Sequence, residues 1–151
     1  MRPFTVMASG DLHFGLASRA HECARVTSWI AQEVAARKPD LFLVPGDIYQ
    51  GASTPADRIA VAEWLTEIAE VCAVVAARGN HDAHRDIAIL PRLHTRHPIL
   101  VEEAARVHHI AGAAVGAIAW PERANLGAML GRPVDAVISD AVLVTGICLI
   151  G

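Results

Sequence analysis

Three short apolar segments in the first half of the chain each end in a cluster of polar residues. The segments are residues 4–8, 41–44 and 71–77, and none of them contains a charged side chain. The stretches between them carry apolar residues at helical spacing. Strands that are apolar along their whole length are typical of a parallel sheet covered on both faces. The order strand–helix–strand–helix–strand therefore predicts an α/β fold.

The two intervening helices have recognisable ends. The first is predicted over residues 18–38 and ends before Pro39, because the residue before a proline avoids the helical region. The second is predicted from Thr54 to Glu70, with Thr54 as the capping residue and Pro55 at the first helical position. One face of the first helix is expected to be buried: Cys23, Thr27, Ile30 and Val34.

The second half of the chain is less regular. A helical turn is predicted at residues 86–90, before Pro91. Short strands are predicted at 99–101, 106–110 and 113–120, the last two paired across Ala111-Gly112. A loop with a short helix is expected at 121–131. Two later apolar segments, 134–138 and 141–150, fit a strand or a helix equally well.

Length and charge favour one globular domain, and charge alone does not mark it as a nucleic-acid binder. The chain has 151 residues, of which 53% are hydrophobic, and a formal net charge of −3. Its 13 basic residues are scattered and form no basic stripe. If the chain binds phosphate groups, bound metal ions would have to supply much of the positive field.

The cysteines and the termini indicate a cytoplasmic protein that does not enter a membrane. The three cysteines, Cys23, Cys72 and Cys148, are far apart and form no Cys-x-x-Cys motif. This pattern predicts buried thiols in a reducing compartment. The N-terminal apolar run reaches polar residues too early for a signal peptide. The longest late apolar run, 141–150, is too short to span a bilayer.

Each of the three apolar segments is followed directly by a chemically active cluster. These clusters are Asp11-Leu12-His13, Gly46-Asp47 and Gly79-Asn80-His81-Asp82. Ligands of open α/β sheets bind in the crevice at the carboxyl ends of the strands. Successive strands usually lie side by side. We therefore expect the three clusters to meet at one edge of the sheet.

The residue types in these clusters suit a pair of divalent cations. Asp11 and His13 are predicted to bind one ion, Asn80 a second, and Asp47 to bridge the two through its two carboxylate oxygens. Mixed oxygen and imidazole ligands favour Mn, Fe or Zn over Ca. Such a pair can hold the attacking and leaving oxygens of a phosphoryl transfer. His81 would stabilise the transferred group or protonate the leaving oxygen.

The clusters also have simpler interpretations. Gly-Asn and Gly-Asp pairs are common in turns, and Asp11 can cap a turn. Asp82 is predicted either to orient His81 through its second ring nitrogen or to cap the next helix. Three further histidines are expected to lie in solvent: His84, His94 and His97. His21 is expected on a helix surface. Of the strand pair His108 and His109, one is expected to face the core or its edge.

The three motifs resemble those of the calcineurin-like metallophosphoesterases. That family carries D-x-H, then G-D, then G-N-H-D/E, which match here at 11–13, 46–47 and 79–82. The resemblance implies a sheet sandwich flanked by helices, with Asp11, His13, Asp47 and Asn80 as metal ligands and His81 acting on the phosphate. It also implies a phosphodiesterase that commonly uses manganese.

Within that family the chain is most similar to SbcD-type DNA repair exonucleases. The similar segments are 9–15, 46–49 with 53–55, and Ala119-Trp120-Pro121. This resemblance implies DNA as the substrate and a coiled-coil ATPase of the SbcC type as a partner. The family's further metal-binding histidines, including a G-H-x-H motif, have no match, since no histidine follows Trp120. Residues 1–151 are therefore expected to form a single metallophosphoesterase domain that is incomplete at its C-terminus.

Two other functions remain open from the sequence. A non-catalytic remnant would bind metal ions or a partner without turning over substrate. A nucleotide-binding α/β module would normally carry a G-x-G-x-x-G or Walker-type loop after its first strand. The loop that follows residues 4–8 contains neither motif.

Overall fold

The computed structural model describes residues 3–15, 17–120 and 147–150. Two short 3₁₀ turns, Ala17–Arg19 and Leu90–Arg92, accompany the main elements. In chain order these elements are β1 (Val6–Ala8), α1 (Ala20–Arg37), β2 (Leu41–Val44), α2 (Pro55–Ala69), β3 (Ala73–Ala77), α3 (His84–Ile87), β4 (Ile99–Glu102), β5 (Ala105–Ile110), β6 (Ala113–Ile118) and β7 (Ile147–Ile150).

The first sheet is parallel and has the strand order β1-β2-β3-β4. Each strand lies beside the one before it, and right-handed crossovers that advance in one direction place their helices on the same face. Phe42 and Val74 accordingly point to that face and pack against Val34 of α1 and Leu65 of α2. These four side chains are fully buried and belong to the larger core.

The other face of the first sheet is covered by a second sheet. Strands β5 and β6 form an antiparallel hairpin, and β7 pairs with β6 in parallel. Leu43 and Val75, one residue further along their strands than Phe42 and Val74, pack against Val115 and Ala117 of β6. Side chains alternate between the two faces of a strand, so β2 and β3 contribute to both cores. The predicted α/β sandwich flanked by helices is confirmed.

The predicted helix ends agree with the structure. The hydroxyl of Thr54 accepts a hydrogen bond from the backbone N–H of Asp57, and the Asp57 carboxylate accepts one from the N–H of Thr54. This reciprocal pair satisfies two N–H groups at the start of α2. At the end of α1, Lys38 adopts a left-handed φ of 49° and donates its N–H to Val34.

Several predicted boundaries shift by one or two residues. Strand β3 begins at Ala73 rather than Val71, because the N–H groups of Val71 and Cys72 bind the carbonyl of Ile68 and close the end of α2. The predicted turn at 86–90 is divided between α3 and the second 3₁₀ turn. The predictions for 121–131, 134–138 and 141–146 lie outside the described residues, whereas 147–150 form a strand. No helix within the described ranges is long and apolar enough to cross a bilayer.

The thiol of Cys72 is expected to resist alkylation in the folded protein. Its side chain is buried, and burial raises its pKa to about 11. At pH 8 about 0.1% of such a thiol is ionised, against roughly a quarter of one with the ordinary pKa near 8.5. Peptide mass spectrometry after brief iodoacetamide treatment should show Cys72 modified at least about 100-fold more slowly in buffer than in urea. Equal rates in the two conditions would contradict its burial.

Candidate metal centre

The loops that follow β1 and β2 bring three predicted ligands together. Asp11, His13 and Asp47 each offer a ligand atom, and these atoms lie within 4.8 Å of one another. The two loops continue the pairing of the strands, since the N–H of His13 donates to the carbonyl of Asp47 at 3.0 Å. The N–H of Phe14 likewise donates to Ile48 at 2.8 Å. The predicted convergence is therefore observed for these three residues.

All three residues adopt left-handed backbone conformations. The φ angles are 53° for Asp11, 51° for His13 and 50° for Asp47. Residues other than glycine rarely adopt such angles, although aspartate and histidine do so more often than most. Each one costs of order 1 kcal/mol and persists only where its surroundings enforce it. Strain of this kind is concentrated at functional sites. The backbone is thus bent so that two carboxylates and an imidazole face one another.

The loop after β3 packs against Asp47. The N–H of His81 donates to Oδ1 of Asp47 at 3.0 Å. Gly79 lies so close that a Cβ at this position would overlap the carboxylate and the backbone nitrogen of Asp47. Asn80 lies between Gly79 and His81 in the sequence and is exposed. Both sequence neighbours of Asn80 therefore contact Asp47, and the role of Asn80 as a ligand stays a prediction.

The donor set fits a divalent cation. Two carboxylates and one imidazole are the ligands that Mn, Fe and Zn accept. Nδ1 of His13 is buried and has no hydrogen-bond partner among the residues that the structure describes. The other ring nitrogen, Nε2, lies 4.0 Å from Oδ1 of Asp11. The Asp11 side chain is 83% exposed, so one side of the group is open to solvent.

The ring of His81 lies beside the three clustered residues. It contacts the His13 ring edge to face, with centroids 5.0 Å apart and an interplanar angle of 84°. Its Nδ1 lies 3.5 Å from Nε2 of Gln50. Gln50 is not among the site residues that the sequence predicts. Its contact with His81 joins loops that follow different strands, so no spacing within one segment signals it.

Neither predicted role of Asp82 is correct. Its carboxylate accepts hydrogen bonds from the N–H of Tyr49 at 2.8 Å and of Gly79 at 2.9 Å, so it joins the loops after β2 and β3. The next helix begins after Ala83, and no side chain caps it. Asp82 is buried, and burial raises its pKa, although the two N–H groups act in the opposite direction. Both oxygens are used by the backbone rather than by His81.

Asp82→Asn is expected to lower the free energy of unfolding by about 1–3 kcal/mol, because the amide NH₂ would face one of two buried N–H donors. Because the pKa is raised in the folded protein, the carboxyl contributes most to the free energy of unfolding below its unfolded pKa near 3.8. This contribution is lost as the pH rises through the pKa of the folded state. The difference between the two proteins should therefore shrink as the pH rises above about 4. Urea unfolding at several pH values without metal measures it, and a difference that grows with pH would contradict the assignment.

The other described histidines are not members of the group formed by Asp11, His13 and Asp47. His21, His94 and His109 are exposed, as predicted for the first two, while His97 is half-buried rather than fully in solvent. His108 is the member of the strand pair that turns inward, and its Nε2 lies 2.8 Å from Oε1 of the buried Glu102. The side chain of His84 is outside the described part of the chain.

A cavity of about 560 Å³ opens beside His13 and runs between α1 and α2, as far as Ser28 on α1 and Glu67 on α2. Phe14 and Trp64 lie in its wall, with ring centroids 6.3 Å apart. Both helices begin at the edge of the sheet that carries the metal-binding candidates, so the cavity and the cluster are neighbours. Its volume is within the range of small-molecule sites.

Comparison with known proteins links the chain to one family. The model of the family described as "Calcineurin-like phosphoesterase" matches residues 4–125. No curated protein sequence matches the chain. Among solved structures, the phosphoesterase Yfce from E. coli is similar, with 18% sequence identity and a TM-score of 0.43 over 74% of this chain and 55% of that one.

Two further solved structures are similar at the same level. The Pseudomonas putida nuclease MPE has 22% identity and a TM-score of 0.46, over 71% of this chain and 64% of that chain. The Aquifex aeolicus protein of unknown function AQ665 has 11% identity and a TM-score of 0.45, over 78% and 61%. The chain thus spans between 55% and 64% of the length of these three structures.

Proposed function

The chain belongs to the calcineurin-like phosphoesterase family, and on that basis we propose that it hydrolyses phosphate esters at a divalent-metal centre. The observation that carries the proposal is the meeting of Asp11, His13 and Asp47, whose ligand atoms lie within 4.8 Å of one another. The left-handed φ angles of all three residues support the proposal, because strained backbone conformations are concentrated at functional sites.

The proposed centre uses two cations, with Asp47 between them and Asn80 as a ligand of the second. Bound divalent ions would polarise the phosphoryl oxygens and lower the pKa of a water molecule. His81 would donate a hydrogen bond to the phosphoryl group or a proton to the leaving oxygen. Its backbone N–H donates to Oδ1 of Asp47 and so anchors the main chain of His81 beside the centre. Manganese is the ion we propose, because the resemblance to the family implies it and because the mixed oxygen and imidazole ligands suit Mn, Fe or Zn.

We further propose that the substrate is a phosphodiester of DNA, cut in the manner of SbcD-type nucleases. The support is the sequence similarity at residues 9–15 and at 46–49 with 53–55. A coiled-coil ATPase of the SbcC type is the proposed partner, and the cytoplasm the proposed compartment. The scattered basic residues offer no stripe for DNA, so metal ions would provide the main attraction for the phosphate.

The proposal is tested by hydrolysis of bis(p-nitrophenyl) phosphate and of linear DNA in Mn²⁺. Turnover should appear with Mn²⁺, disappear with EDTA, and be lost in Asp47→Asn. Glu70→Gln is the control, because it removes the same charge from the exposed end of α2. Hydrolysis of the small diester without DNA cleavage would contradict the nuclease proposal. Binding of Mn²⁺ without any turnover would contradict the hydrolase proposal and favour a metal-binding module.

A further inference from the structure

The main chain of His81 is held more firmly than its ring. Its N–H donates to Oδ1 of Asp47 at 3.0 Å, and one ring edge contacts His13. Neither contact decides which ring nitrogen carries the proton when the imidazole is neutral. That choice depends on the hydrogen bond made by the other nitrogen.

Gln50 is the side chain next to Nδ1 of His81. Its Nε2 lies 3.5 Å from Nδ1, at the upper limit of a hydrogen bond. Such bonds are often long before substrate binds and shorten afterwards. The Asp82 carboxylate faces the backbone instead, where its two oxygens accept the N–H groups of Tyr49 and Gly79.

The backbone of Gln50 is well anchored although its side chain is exposed. Its N–H donates to the carbonyl of Phe14 at 2.8 Å, and Phe14 and Tyr49 form an isolated bridge that extends the pairing of β1 with β2. Tyr49 is fully buried immediately before it. The amide therefore starts from a fixed point close to the metal-binding candidates, as a positioning group must.

We propose that Gln50 is a positioning residue that donates Nε2–H to Nδ1 of His81 and so selects the tautomer protonated at Nε2. The NH₂ of Gln50 faces Nδ1 in the structure, and because an NH₂ can only donate, this orientation makes Nδ1 the acceptor and leaves the ring proton on Nε2. The ring then offers Nε2–H as its donor to a phosphate ester. The catalytic consequence rests on the proposed function, whereas the tautomer is a property of the protein without metal or substrate.

The tautomer can be read by long-range ¹H–¹⁵N NMR of the ¹⁵N-labelled, metal-free protein at a pH where His81 is neutral. The His81 signals are identified by their loss in His81→Ala. We expect a protonated Nε2 and an unprotonated Nδ1. Gln50→Glu should reverse this assignment, because a carboxylate accepts the proton of Nδ1–H. Gln50→Met, of similar length, should give a mixture of tautomers.

Gln32→Met is the matched control, since Gln32 is an exposed glutamine of α1 whose amide lies 3.4 Å from the Ser28 hydroxyl. It should leave the His81 signals unchanged. In Mn²⁺, Gln50→Met should lower kcat for bis(p-nitrophenyl) phosphate about tenfold with little change in KM, as is usual when a supporting hydrogen bond is lost.

Two results would overturn the inference: a wild-type His81 protonated at Nδ1, or His81 signals identical in Gln50→Met and wild type. A thermal unfolding curve confirms that each variant is folded. If the wild-type protein shows no turnover, the hydrolase proposal fails, yet the NMR comparison still decides the role of Gln50.

Discussion

Gly79→Ala is expected to abolish divalent metal binding and to lower the free energy of unfolding by about 3 kcal/mol, the upper end of the usual cost of overpacking. A Cβ on Gly79 would overlap the Asp47 carboxylate and its backbone nitrogen, which are not the flexible end of a long side chain. Asp47 is already held at a φ of 50° and carries the hydrogen bond to His81. It therefore cannot retreat without leaving the other two ligands.

Urea unfolding and Mn²⁺ titration calorimetry measure the two effects. Gly112→Ala is the control, because Gly112 has a φ of 86° in the hairpin turn but nothing within 4 Å of its missing Cβ. It should cost about 1 kcal/mol from backbone strain alone and leave metal binding intact. If Gly79→Ala binds Mn²⁺ with wild-type affinity, the contact between Gly79 and Asp47 does not shape the site.

His81→Ala is expected to reduce turnover by a factor of about 10² to 10⁴, the usual contribution of a positioned acid or base. Metal affinity should stay close to that of the wild type, because the N–H that binds Asp47 belongs to the backbone and is kept. Steady-state hydrolysis of bis(p-nitrophenyl) phosphate in Mn²⁺ gives the first number, and calorimetry gives the second.

His109→Ala provides the comparison for this variant, since His109 is exposed on β5. Its turnover should equal that of the wild type. Should His81→Ala also hydrolyse the diester at the wild-type rate, His81 takes no part in the reaction. Should it lose metal binding as well, the imidazole acts mainly as a ligand.

The first half of the fold could be predicted because its signals are local. Thr54-Pro55 predicts the start of α2, and Pro39 predicts the end of α1. The uniform hydrophobicity of Leu41–Val44 predicts a strand that is buried on both faces. The parallel order of the strands then makes the polar clusters converge. The segment that contains β7 could not be assigned, because an apolar run fits a strand or a helix until its partner β6 is known.

The roles of the side chains around the site were harder to predict. Asp82 follows His81 in sequence, which suggested an interaction between neighbours. In the fold it instead satisfies the N–H groups of Tyr49 and Gly79, because two loops cross at that point. Gln50 reaches His81 from a different loop, and spacing within a single segment carries no information on such a contact.

The central claim is that Asp11, His13 and Asp47 jointly bind a divalent cation, and Mn²⁺ binding followed by electron paramagnetic resonance tests it most directly. The wild type and Glu70→Gln should take up Mn²⁺ saturably and with equal affinity. Asp47→Asn should bind at least about tenfold more weakly, since the loss of an outer-shell partner alone costs that much. Equal affinity in all three proteins, or no saturable uptake by the wild type, would contradict the claim.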